Sequence, residues 1–132
     1  MTLWLLLSGA VATFLAGDSW LRYRERKLAR QRSGQGFEEF AIYFSGESIP
    51  RDKLREVYDY FQQWQSMKDF PVQPEDGLYE VYGIVDEDVD DAVIELAKKW
   101  GVSLPPDAEW ASMGTVSTVA DIVRLLSRRP SQ

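Results

Sequence analysis

Residues 82–104, YGIVDEDVDDAVIELAKKWGVSL, spell out one helix with both of its ends, and no other stretch restricts the fold as tightly. Asp86, Glu87, Asp88, Asp90 and Asp91 open it, where the helix dipole favours negative charge. Val89, Ala92, Val93, Leu96 and Trp100 recur at three- and four-residue steps and predict one buried face. Lys98 and Lys99 complement the opposite pole, and Gly101 is the residue that most readily closes a helix.

Similar reasoning places the other elements. Leu54, Val57, Tyr58, Phe61 and Trp64 predict an amphipathic helix reaching Met67, with Ser48 as its N-cap and Pro50 in the first turn. Phe37, Phe40, Ala41 and Phe44 fit helical spacing, although the aromatic content also suits a strand; a short helix is favoured. Residues 69–77, with two prolines and a glycine, read as a loop. Leu78–Ile84 reads as a second loop crossing the core, with Leu78, Val81 and Ile84 as plugs. Pro105-Pro106-Asp107 starts a short helical turn through residues 109–111. Thr118 caps a last helix whose core face is Val119, Ile122, Val123 and Leu126.

The chain of 132 residues contains neither cysteine nor histidine. Disulfides, thiolate chemistry, imidazole acid–base catalysis and the usual zinc sites are thereby excluded. No triad, metal cluster or phosphate loop is present, so the chain reads as a non-enzyme with no cofactor. Charge is unevenly spread. Residues 22–32 hold six of the fifteen basic side chains, whereas the residues beyond carry nineteen acidic against nine basic. An acidic body lacks the clustered cations that nucleic acid requires and suits a basic protein partner.

Residues 3–17 are uncharged, and the apolar character runs to Leu21 if Asp18 sits at an interface. About 20 helical residues cross ~30 Å of hydrocarbon, so residues 1–21 are expected to form a single transmembrane anchor. Trp4 and Trp20 bracket it as interfacial anchors, and Arg22, Arg24, Arg26 and Lys27 follow directly. The expected topology is single-pass in the inner membrane, N-terminus outside and the C-terminal domain cytoplasmic. A cleaved signal would carry cations before the apolar run, and a lipoprotein box would need cysteine at Asp18. Residues 22–36 read as a basic juxtamembrane helix and linker, with the 22–32 run touching anionic lipids. Residues 37–129 form the acidic domain.

Trp100-Gly101-Val102, the following Leu104-Pro105 strap and Thr118-Val119-Ala120-Asp121 together resemble the acyl carrier protein family. Gly83 stands at the glycine before the carrier Asp-Ser-Leu motif, which here is Val85-Asp86-Glu87. The resemblance spans roughly 45 residues and implies a small four-helix bundle, so the expected fold is all-α, a transmembrane helix followed by an acyl-carrier-like bundle. It also implies docking of basic partners on the acidic helix. The departure decides the chemistry: Asp86 occupies the place of the serine that bears phosphopantetheine, and a carboxylate cannot form that phosphodiester. No serine or threonine lies between Met67 and Ser103 to replace it.

The acidic run itself has two open readings, a solvated helix start and a partner-docking face. Calcium binding fails, because an EF-hand loop beginning at Asp86 would need Gly at Asp91 and Glu at Ala97. The sequence thus points to a membrane-anchored, non-catalytic docking or regulatory module. The alternative is a structural or toxin-neutralising membrane protein.

Overall fold

The computed structural model describes residues 19–105 and 116–131. Among them lie six helices and no strand, in line with the all-α expectation. Residues 19–31 are helical (α1), followed by α2 (Phe37–Tyr43), α3 (Arg51–Gln62), α4 (Leu78–Tyr82), α5 (Asp86–Trp100) and α6 (Val119–Ser127). The chain divides into two compact units, one ending at Ser33 and the other starting at Gly34.

The membrane assignment is corrected. Among the described residues no helix is long and apolar enough to cross a membrane. Residues 1–18, Trp4 included, lie outside the described residues. The rest of the expected span, residues 19–21, belongs to a helix that continues through Arg22, Arg24, Glu25, Arg26 and Lys27, a charge density that hydrocarbon excludes. Trp20 is 60% exposed and stacks on Tyr23 at 5.9 Å, while Arg26 Nε donates to the Arg22 carbonyl. The transmembrane anchor, the single-pass topology and the inner-membrane location fall together.

In the second unit α3 packs against α2, α5 and α6, and α5 against α6. The core between them combines Phe40 and Phe44 with Val57 and Phe61, Val93 and Leu96, and Ile122 and Leu126, all at 1% exposure or less. Phe40 meets Phe44 and Tyr58 edge-on at 5.5 and 5.4 Å, the geometry that aromatic quadrupoles favour. The helical option for residues 37–44 is the one realised, and Glu39 reaches back to the Gly36 N–H at 2.6 Å to start α2.

Two boundaries and one element differ from expectation. Pro50, not Ser48, caps α3 by accepting from Lys53 and Leu54, because the residue before a proline is pushed away from helical geometry. Ser48 instead takes a left-handed conformation with φ 53°. At the other end α3 stops at Gln62, short of Met67, and Trp64 is 39% exposed rather than buried. Leu78–Tyr82 is a one-turn helix rather than a loop, closed by Gly83 at φ 68°. Leu78 and Ile84 are buried as expected, and Val81 is only partly so. The turn expected at residues 106–111 lies outside the described residues.

The ends of α5 and α6 are joined by local hydrogen bonds. Gly101 takes φ 69°, allowing Val102 N–H to reach back to the Ala97 carbonyl at 3.1 Å. A Cβ at Gly101 would meet nothing within 4 Å, so alanine there is penalised by backbone conformation alone. Gly101→Ala should lower stability by about 1–2 kcal/mol, read as a reduced urea midpoint with an unchanged slope. After the strap turns, Ser103 N–H donates to the Pro130 carbonyl and Arg129 Nε to the Ser103 carbonyl, fastening the C-terminal tail beside α5.

The start of α6 is satisfied donor by donor. Val119 N–H goes to the Asp76 carbonyl and Ala120 N–H to the Pro74 carbonyl. Asp121 N–H goes to Thr118 Oγ1, and the Asp121 carboxylate accepts from the Thr118 and Ser117 N–H groups in return. Burial raises the Asp121 pKa, but these bonds outweigh it and hold the carboxyl below its ordinary value.

Candidate docking surface

The amphipathic register of α5 decides where its charges point. Ala92, Val93, Leu96, Ala97 and Trp100 face the core, leaving Asp86, Glu87, Asp90 and Asp91 exposed and Asp88 partly so. All five sequence-derived site residues therefore lie in the first six residues of one helix. Among the described residues none of the five forms a salt bridge. The opposite pole carries Lys98 and Lys99, the latter reaching Glu56 at 4.0 Å. Negative charge is thus concentrated at one end of the helix. No group of three acidic side chains among the described residues is placed to hold a metal ion.

Exposed apolar side chains adjoin these carboxylates. Val85, which precedes Asp86, is 46% exposed and Ile94, four residues after Asp90, 40%; Tyr79 on α4 is also exposed. Sequence reasoning did not single out these three. Ile94 was legible in principle, because it lies one position off the buried stripe formed by Val93 and Leu96. An interface buries apolar groups at its centre and keeps polar ones at its rim, and this end of α5 offers both.

On the side facing α3, Glu95 lines a cleft of about 390 Å³ together with Tyr60, Gln63 and Trp64. Burial raises the pKa of the Tyr60 hydroxyl. The neighbouring Trp64 side chain opposes that, and the charges of Glu95, Asp91 and Asp88 add to it. The three carboxylates, spaced i, i+3, i+7, therefore sit close enough to the Tyr60 hydroxyl to act on it. A wider cleft of about 890 Å³ is lined by Phe37, Glu38, Arg51 and Arg55 among others, but its guanidiniums are committed. Arg51 pairs with Glu38 and Arg55 with Asp59, and both cover the Phe37 ring at 4.9 and 4.8 Å. That cleft has no uncommitted cation for an anionic ligand.

The remaining expected site residues, Arg22, Arg24, Arg26 and Lys27, are exposed along α1 within the first unit. Comparison with protein-family models, curated proteins and solved structures finds no match to the chain.

Proposed function

We propose that the unit from Gly34 onward is a non-catalytic docking module that binds a basic protein partner through the first half of α5. The observation that carries this reading is the exposed, unneutralised row Asp86, Glu87, Asp90 and Asp91, flanked by exposed Val85 and Ile94. Carboxylates in the first turn of a helix gain about 0.3–1 kcal/mol each from the dipole, which accounts for Asp86, Glu87 and Asp88 but not for Asp90 and Asp91 or the exposed apolar neighbours. A partner covers both. Its cations find the carboxylates while its apolar groups remove Val85 and Ile94 from water. The resemblance to acyl carrier proteins supports the same use of this helix. With Asp86 at the first helical position in place of a serine, the module carries no phosphopantetheine.

Reversing Asp86, Asp90 and Asp91 to lysine should weaken partner binding by at least about 100-fold, since like charges set against each other cost several kcal/mol. The check is capture from the producing cells with the full chain, with bound proteins identified by mass spectrometry. Three reversals at Asp52, Asp69 and Glu75, all exposed, serve as a charge-matched control, and Asp→Asn at the same three α5 positions separates docking from folding. Equal capture by the reversed and control variants overturns the proposal.

A further inference from the structure

The cleft between α3 and α5 has a chemistry narrower than general acidity. Trp64 stands on the turn after α3, where its indole is 39% exposed. It lines the cleft beside Tyr60 and Gln63, so part of its indole surface is open to a ligand in the cleft. Across the cleft lies Glu95, which forms no ion pair among the described residues, and Gln63 supplies an amide oxygen. Asp91 and Asp88 extend the negative potential along the same side of α5. No basic side chain lines this cleft, so an anion would meet only repulsion, and a neutral aromatic would leave Glu95 uncompensated.

We infer that the Tyr60–Gln63–Trp64–Glu95 cleft receives an arginine side chain from the basic partner, stacked on Trp64 and paired with Glu95. The inference rests on the docking reading of α5 and specifies one anchor within it. A guanidinium is planar, so one group can lie on an indole face while its edge donates two parallel hydrogen bonds to a carboxylate. A lysine ammonium can satisfy the carboxylate or the ring, but it has no flat face and makes no bidentate pair. The cleft therefore discriminates arginine from lysine, whereas the outer carboxylates Glu87 and Asp90 respond to charge alone.

The test uses the full chain, isotopically labelled, titrated with acetylated and amidated hexapeptides of equal charge bearing either three arginines or three lysines. Amide and indole shifts are followed by NMR. The arginine peptide is expected to move the Trp64 indole and Glu95 signals and to bind about two- to five-fold more tightly than the lysine peptide, the range of an exposed cation–π contact. Trp64→Ala should erase that difference while leaving the shifts at Asp86–Asp91, and Trp64→Phe should keep part of it. Since Trp64 is exposed and lies outside α3, neither change threatens the fold. Equal affinities for the two peptides, or shifts confined to residues 86–91, overturn the arginine anchor and leave the docking reading standing. Absence of shifts anywhere on α5 overturns both. Salt-sensitive self-association of the chain with loss of the Trp64 response would assign the cleft to a second copy and overturn the foreign arginine.

Discussion

Phe61→Ala should remove about 3–5 kcal/mol of stability, measured by urea unfolding followed at 222 nm, the usual range for deleting a buried aromatic ring. Phe61 has no exposed surface and lies on α3, the helix that packs against α2, α5 and α6 alike. Its ring meets Tyr60 at 5.2 Å and Tyr82 at 5.3 Å, so truncation opens a cavity walled by aromatic groups that cannot collapse into it. A domain of this size has about 5–15 kcal/mol in total, and the variant should be partly unfolded near physiological temperature. Trp64→Ala, three residues further along the same apolar stripe, should change stability by no more than about 0.5 kcal/mol. A loss below about 1 kcal/mol at Phe61 would mean that α3 does not present this face to the core.

That contrast shows why part of the fold was legible and part was not. Periodicity reports which residues are apolar, not where backbone hydrogen bonding stops. The stripe Leu54, Val57, Phe61, Trp64 runs straight past the end of α3, where Trp64 N–H turns to the Phe61 carbonyl. Nothing in the side chains near residue 62 signals that turn, so periodicity alone assigns Trp64 to the core. The ends of α5 and the start of α6 carry their own chemistry: carboxylates, lysines and Gly101 in one, Thr118 with Asp121 in the other. Those boundaries were legible. The five residues of α4 make a single turn, too short for a period to register, and only Gly83 hinted at it. The same division holds for the docking surface. Asp86 to Asp91 are neighbours in sequence and announce themselves. Trp64 and Glu95 belong to different segments, and only the packing of α3 on α5 brings them to one cleft.

Asp76 was not visible as a structural residue at all, because PEDG reads as solvated loop. It is 4% exposed, and its carboxylate accepts from the Tyr82 hydroxyl at 2.7 Å and from the Gln73 N–H at 2.9 Å. The loop so held presents the Pro74 and Asp76 carbonyls to the first two N–H groups of α6, while Leu78 N–H donates to the Ser117 carbonyl. One buried carboxylate thus supports both the turn into α4 and the start of a helix more than forty residues later. Asp76→Ala removes the acceptor of the buried Tyr82 hydroxyl and the half-buried Gln73 N–H and should cost about 2–3 kcal/mol. Tyr82→Phe gives up one of these bonds and keeps the ring, so it should be the milder single change. The double variant should recover at least about 1 kcal/mol relative to the sum of the two, the coupling expected for groups in one network. The Val119 and Ala120 amides should exchange faster in Asp76→Ala than in Phe61→Ala variants of matched stability, because their acceptors sit on the loop that Asp76 holds. Strict additivity of the two substitutions, with unaltered exchange at Val119 and Ala120, would show that the carboxylate organises neither the tyrosine nor the helix start.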